Sequence, residues 1–207
     1  KMIYGSQTGS VQGSERFSIT RGVRQGDVVS PVLFNAVLES AFRKWKRKVA
    51  GCGWKMSDAN EHLTNVRFAD DILLFAKSEQ ELQIMLEMLL DELAAVGLEL
   101  NAAKTKIMTT DDRRFLEGHT SVVVWAGALM HVMRPDETHK YLGRELCLCK
   151  QSADIETANR IASAWGQFHK RKHWYNNRNI PATLRLRLLD ACVTPVAMFG
   201  LCVAPLT

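Results

Sequence analysis

The sequence predicts an α+β protein: an antiparallel sheet with helices packed on one face, followed by a helical, basic part. Three observations carry this expectation. Short strand-like runs bounded by Gly and Ser alternate with two long apolar stripes at helical spacing, the chain turns helical in its last quarter, and cations gather towards that end. Between Lys140 and Asp190 ten Lys and Arg stand against four Asp and Glu, whereas the whole 207-residue chain carries a net charge of only +5. The organisation reads as residues 1–150, sheet and helix, and residues 151–207, helical and basic. A basic segment of this kind suits a polyanion, and a solvated helical surface has the same composition.

The elements follow in order. "KMIY" and "RFSIT" read as strands of a hairpin among Gly- and Ser-rich turns. The loop "RGVRQGDVVSP" ends in Ser30-Pro31, an N-cap residue followed by the imino acid favoured at the first helical position. Leu33, Phe34, Val37, Leu38, Ala41, Phe42 and Trp45 continue at helical spacing, "RKWKRK" places cations at the C-terminal end, and Gly51 and Gly53 close the helix. Ser78 with Glu81 is a capping-box signature, after which Leu82, Met85, Leu86, Leu89, Leu93 and Val96 line one face up to Gly97. Strands are expected at Leu98–Leu100, Ser121–Trp125 and Tyr141–Leu148. From Asp154 the pattern is helical, broken at Ile180-Pro181 and at Thr194-Pro195.

Several classes of protein do not fit. No stretch reaches the ~18 uninterrupted apolar residues of a membrane span, and no signal-peptide pattern opens the chain, so an intracellular protein, nuclear or cytoplasmic, is expected. The five cysteines are odd in number and scattered without a CxxC, which favours reduced thiols over a disulfide scaffold. His169 and His173 are four apart as zinc ligands on a helix can be, but flanking cations oppose a metal there.

The segment "VRFADDILLF" sets Asp70 beside Asp71 inside an apolar run. On a straight strand neighbouring side chains face opposite ways, so one carboxylate would enter each apolar layer at prohibitive cost. A bend resolves this. With Val66–Phe68 as one strand and Ile72–Ala76 as the next, Asp70 and Asp71 sit at a hairpin tip and form a seat for a hard divalent cation such as Mg2+. A polar turn satisfies the same ten residues. In the last part Trp165, Phe168, Trp174 and Tyr175 are interleaved with Lys170, Arg171, Lys172 and Arg178, which suits a nucleic-acid track of stacking rings and phosphate contacts. Trp165 and Phe168 are expected in the helices' own core.

Together these pieces resemble a reverse transcriptase, most closely of the non-LTR retrotransposon kind. "GVRQGDVVSPVLFN" is similar to the family's palm loop and helix, "FADD" to its metal-binding hairpin, "GLELNAAKTKIM" to the next palm motif, and "HKYLGREL" to the strand pair leading to the primer grip. Residues 154–200 resemble the thumb. Five motifs in one order are far more specific than any one of them. Phe68 ahead of Ala69 fits non-LTR elements, and Val28-Val29 in place of the usual Pro-Leu is a mild departure.

The resemblance implies an antiparallel palm sheet and a helical thumb, acting in RNA-templated DNA synthesis by two-metal-ion nucleotidyl transfer. Asp70 and Asp71 would be metal ligands for Mg2+ or Mn2+, and Lys104 a general acid to the pyrophosphate leaving group, with Lys106 its close competitor. Arg24, Gln25 and Gly26 would meet template and nucleotide, while Lys140, Tyr141 and Gly143 would hold the primer end. The implied partners are an RNA template, a DNA primer and deoxynucleotides. The family's set also needs an aspartate on an earlier strand, yet Glu15 is the sole acidic residue among the 24 before Gln25. The expectation is a fragment, inactive alone, whose missing strand and fingers lie upstream in the natural product. The alternative is a decayed or co-opted remnant, a structural subunit that binds RNA or protein.

Overall fold

A computed structural model describes residues 7–10, 13, 15–19, 22–24, 26–56, 61–111, 122–125, 127–149 and 152–200. The expected strand at "KMIY" and residue Gln25 lie outside them. The chain divides into two compact units, residues 1–101 with 125–127, and residues 102–124 with 128–207.

In the first unit β1 (Gln7–Gly9) and β2 (Phe17–Ile19) form an antiparallel hairpin ahead of helix α1 (Ser30–Lys48). Ser30 was expected to cap α1 and instead is its first residue, buried within it. The cause lies three residues upstream: the Asp27 carboxylate accepts a hydrogen bond from Val29 N at 3.1 Å, and the Asp27 carbonyl accepts one from Ser30 N at 3.2 Å. This Asx turn feeds the chain into the helix, and Pro31 follows in the first turn.

Strands β3 (Trp54–Lys55) and β4 (His62–Leu63) pair, as do β5 (Asn65–Phe68) and β6 (Asp71–Leu74), before helix α2 (Glu79–Ala95). Half of the capping box forms: Ser78 Oγ accepts from Glu81 N at 3.2 Å. The Glu81 carboxylate goes elsewhere, accepting from Gly53 N at 2.6 Å and Lys77 N at 3.1 Å. Gly53 is required for space, because a Cβ there would stand 2.6 Å from the Leu63 carbonyl oxygen.

The expected stripes become one core. Leu38, Ala41, Phe42, Trp45 and Val49 of α1 and its C-cap pack against Met85, Leu89 and Leu93 of α2, with Ile72 and Leu74 of β6 lying on this pair. Trp45 Nε1 donates to the Met85 carbonyl at 2.8 Å inside the core, so the indole buries its area without orphaning its donor. Leu98–Leu100 is not a strand. Gly97 N bonds Ala94 O at 3.0 Å and Leu98 N bonds Leu93 O at 2.9 Å, a Schellman closure that turns Leu98 back onto the helix.

In the second unit β7 (Lys106–Met108), β8 (Val122–Trp125, all but its last residue in this unit) and β9 (Ala128–Met133) make a three-stranded sheet of order β7-β9-β8. Its β7 and β9 run parallel, a departure from the wholly antiparallel expectation. Strands β10 (His139–Tyr141) and β11 (Arg144–Leu146) replace the single strand expected over Tyr141–Leu148. The chain reverses at Leu142-Gly143, both at positive φ (48° and 79°), as a two-residue hairpin turn demands.

Helices α3 (Ser152–Lys170), α4 (Lys172–Tyr175), α5 (Ala182–Cys192) and α6 (Thr194–Met198) complete this unit, with α3 packed on β11 and on α6. The breaks at Pro181 and Thr194-Pro195 fall where the sequence puts them. Among the described residues the strands form five small sheets rather than one, and no helix is long and apolar enough to cross a membrane.

Candidate active site

The β5–β6 hairpin pairs Asn65 with Leu74, Val66 with Leu73, Arg67 with Ile72 and Phe68 with Asp71. The second strand therefore starts one residue earlier than expected: Ala69 and Asp70 form the tip, and Asp71 is already paired. Ala69 takes φ 52°, the left-handed conformation that costs a residue with a Cβ about 1–2 kcal/mol. Strand alternation then assigns the faces. Ile72 and Leu74 turn to the helices, while Asp71 shares the other face with Val66 and with Phe68, which is 65% exposed.

Asp70 and Asp71 are both exposed, and neither carboxylate makes a hydrogen bond or ion pair with another described residue. Their neighbour Arg67 is fastened instead. It donates to Glu39 Oε2 on α1 at 2.8 Å and lies over the Phe42 ring, 4.1 Å from its centroid. Hydrogen bonds from Arg67 and from Arg43 hold the Glu39 carboxyl below its usual range. The hairpin is thus anchored through a neutralised cation, and its own acids are left uncommitted.

Two carboxylates side by side offer hard oxygen donors of the kind Mg2+ or Mn2+ takes. They supply only part of an octahedral shell, and no cluster of three metal-ligating side chains occurs among the described residues. The donor set fits a divalent ion that draws its remaining ligands from water and substrate.

Arg24 and Gly26 are exposed in the loop before α1, where Asp27 N bonds the Arg24 carbonyl at 3.4 Å. Gly26 has φ +90°, and a Cβ added there meets nothing within 4 Å. Glycine is demanded by conformation, and the open space leaves the backbone approachable.

In the second unit Lys104 is exposed in the turn over residues 102–104 leading to β7, and Lys106 is exposed on β7 opposite His131. Lys140 is exposed and faces Glu145 across the β10–β11 hairpin, while Tyr141 is half-buried opposite Arg144. A Cβ on Gly143 would reach 3.4 Å from Phe199 Cε1.

This second hairpin is held by groups that the sequence did not single out. Glu156 on α3, only 3% exposed, accepts from Glu145 N at 2.8 Å and from Arg160 Nε at 2.6 Å, with Arg144 Nε at 3.8 Å. Arg160 also donates to the Gly143 carbonyl and sits over the Phe199 ring. Burial pushes the Glu156 carboxyl up, but the Glu145 N–H and the guanidinium of Arg160 outweigh it and hold it below the usual range. The one advance signal was the i,i+4 spacing of Glu156 and Arg160.

Lys170 ends α3, Lys172 begins α4 and Arg178 lies in the link to α5, all exposed. Arg171, between the first two, is half-buried and donates to Gln167 Oε1 at 2.5 Å. Trp165 departs from the core expectation. It is 56% exposed and stacks on His169 with ring centroids 5.7 Å apart, while Phe168 is half-buried and stacks on the buried Tyr175 at 5.1 Å. The tryptophan faces outward because α3 gives its inner face to β11 and α6.

The glycine loop, α1, the acidic hairpin and α2 follow one another in this order and lie in a domain of the template-dependent polymerase class. A family model described as reverse transcriptase (RNA-dependent DNA polymerase) matches residues 1–146, and the chain belongs to this family. It is 43% identical over 100 residues to the Pol polyprotein of the type-2 retrotransposable element R2DM of Drosophila melanogaster, 48% of this chain and 9% of that protein. It is 37% identical over 84 residues to the R2 Pol polyprotein of Nasonia vitripennis, 41% of this chain and 8% of that protein. A transposon-derived protein of Caenorhabditis elegans is 30% identical over 139 residues, 67% of this chain and 48% of that protein. The chain thus spans from under a tenth to about half the length of these relatives, and the non-LTR resemblance read from its motifs is borne out.

Proposed function

We propose that this chain is the palm (1–150) and thumb (151–207) portion of an RNA-directed DNA polymerase acting inside the cell, with RNA template, DNA primer and deoxynucleotides as its partners. The observation that carries the reading is the exposed tip of the β5–β6 hairpin, where two adjacent carboxylates have no partner among the described residues and stand on a base anchored by Arg67 and Glu39. An exposed carboxylate is ordinarily just solvated; what suits this pair to an incoming ion is that two adjacent carboxylates share one hairpin tip on a firm mount.

Asp70 and Asp71 would hold a divalent ion, which would supply charge stabilisation for the oxygens at the reacting phosphate. Arg24 offers a cation to template or nucleotide phosphate, Gln25 offers its amide to the nucleotide, and the bare backbone at Gly26 allows close approach. Lys104 provides a proton and a positive charge towards the departing pyrophosphate. Lys140, Tyr141 and Gly143 hold the primer end, and Lys170, Arg171, Lys172 and Arg178 follow the duplex backbone.

The test is extension of a primed RNA template, with Mg2+ and deoxynucleotides, by the natural product that carries this chain. Extension that disappears in Asp70→Asn is expected. Tight binding of the primed template with no extension would overturn the polymerase reading in favour of a co-opted binding subunit.

A further inference from the structure

We propose that Glu156 is a positioning residue for polymerisation: from α3 it fixes the 139–146 hairpin, and through that hairpin the primer terminus, a role that rests on the polymerase reading above. The geometry supporting it is specific to the hairpin. Glu156 Oε2 takes the Glu145 N–H at 2.8 Å, one residue beyond the first position of β11. Its other oxygen holds Arg160 Nε at 2.6 Å, and Arg160 in turn reaches the carbonyl of Gly143, within the turn itself. The side chain of Arg144, between these two backbone contacts, approaches the same oxygen at 3.8 Å. Three consecutive hairpin residues, 143 to 145, are thereby referred to one carboxylate.

Phe199 and Gly200 complete the mount. Arg160 lies 4.8 Å from the Phe199 ring centroid, and a Cβ at Gly200 would stand 3.2 Å from Arg144 Cδ. The last described turn of the chain thus packs against both guanidinium side chains of the network. A buried carboxylate and two guanidinia are a poor route to stability, since apolar residues of like volume do as well. What such a network adds is direction: its hydrogen bonds fix a backbone in one place, as a reacting end requires.

The experiment uses the natural product that carries this chain, with Glu156→Gln and Arg160→Met, each keeping most of the side-chain volume. Amide hydrogen exchange over 139–146 reads the mount, and single-turnover primer extension beside primer–template affinity reads its purpose. Expected in both variants is exchange over 139–146 faster by about tenfold or more with the 65–74 hairpin unchanged. The extension rate should fall by roughly tenfold or more at saturating nucleotide while affinity moves by less than about twofold.

Unchanged exchange over 139–146 overturns the inference, and so does faster exchange with undiminished extension. A rise in exchange across both hairpins in both variants makes Glu156 a group of general stability and also overturns it. If the unaltered product extends no primer, the polymerase reading fails and this role falls with it; that case is told apart because the exchange difference over 139–146 would stand without any extension to compare.

Discussion

The β5–β6 and β10–β11 hairpins are built alike and anchored differently. Each turns in two residues, and each opens its turn with a non-glycine residue in the left-handed region, Ala69 at φ 52° and Leu142 at φ 48°. The first is tied down at Arg67, three residues before its tip acid, and leaves Asp70 and Asp71 without partners among the described residues. The second is gripped at its turn and at the residues beyond it by Glu156 and Arg160. Under the proposed function the contrast would separate two tasks. A group that must receive an ion is best mounted from behind, whereas a segment that must hold a chain end in place is best clamped where it bends.

The largest effect that sharpens this contrast is on activity. Asp70→Asn should lower primer extension by about 10²–10³-fold, the scale of losing one charge-stabilising group, while moving unfolding free energy by less than ~0.5 kcal/mol. Paired kinetics and denaturant titration check both halves; a large stability loss would make Asp70 a structural acid and erase the difference between the hairpins.

Glu156→Ala should reverse that pattern in its stability component. It strands two guanidinia around a buried vacancy, and a loss of about 3 kcal/mol is expected in denaturant unfolding. The same carboxylate sets a pH response. Its pKa is lower folded than unfolded, so its contribution is present above the ordinary glutamate range and is lost as pH falls through the depressed folded value. Exchange protection over 139–146 should therefore fade in acid. Glu39 has the same sign but is far more exposed than Glu156, so the 65–74 hairpin should fade less over that interval.

Arg67→Ala tests the mount of the first hairpin. Loss of the contact over Phe42 should cost about 0.5–1 kcal/mol, and extension should fall because the acids above it lose their footing. Smallest of all, Ala69→Gly and Leu142→Gly should each stabilise by about 0.5 kcal/mol, the relief of left-handed strain less the added freedom of the unfolded chain. Equal gains in thermal unfolding would confirm that the two turns share one backbone solution; a gain at only one would break the likeness.

What was legible in the sequence was whatever depends on neighbours in the chain. The two apolar stripes, the Ser78 cap, the Gly97 stop and the acidic hairpin all follow from local spacing, and all are present. The misreadings arose where distant groups decide. Leu98 looks like a strand residue until its N–H is seen to return to Leu93, and Trp165 looks like core until α3 commits its other side to β11 and α6. Glu81 satisfied its capping signature in name, but Gly53, brought close by the fold, took its carboxylate. Glu156 gave almost no warning because a solvated i,i+4 pair and a buried clamp are written with the same letters.

The bond from the Trp45 indole to the Met85 carbonyl has a consequence for the acidic hairpin. It acts as a pin between two rods. A slip of α1 along α2 by one residue, a rise of about 1.5 Å, would pull the pin out and carry Glu39 and Phe42 away from Arg67 by the same distance. The footing of Arg67, and with it that of the acidic hairpin, is therefore gauged by an indole buried in the helix pair, so trimming that ring should misalign the tip even though neither acid has been altered.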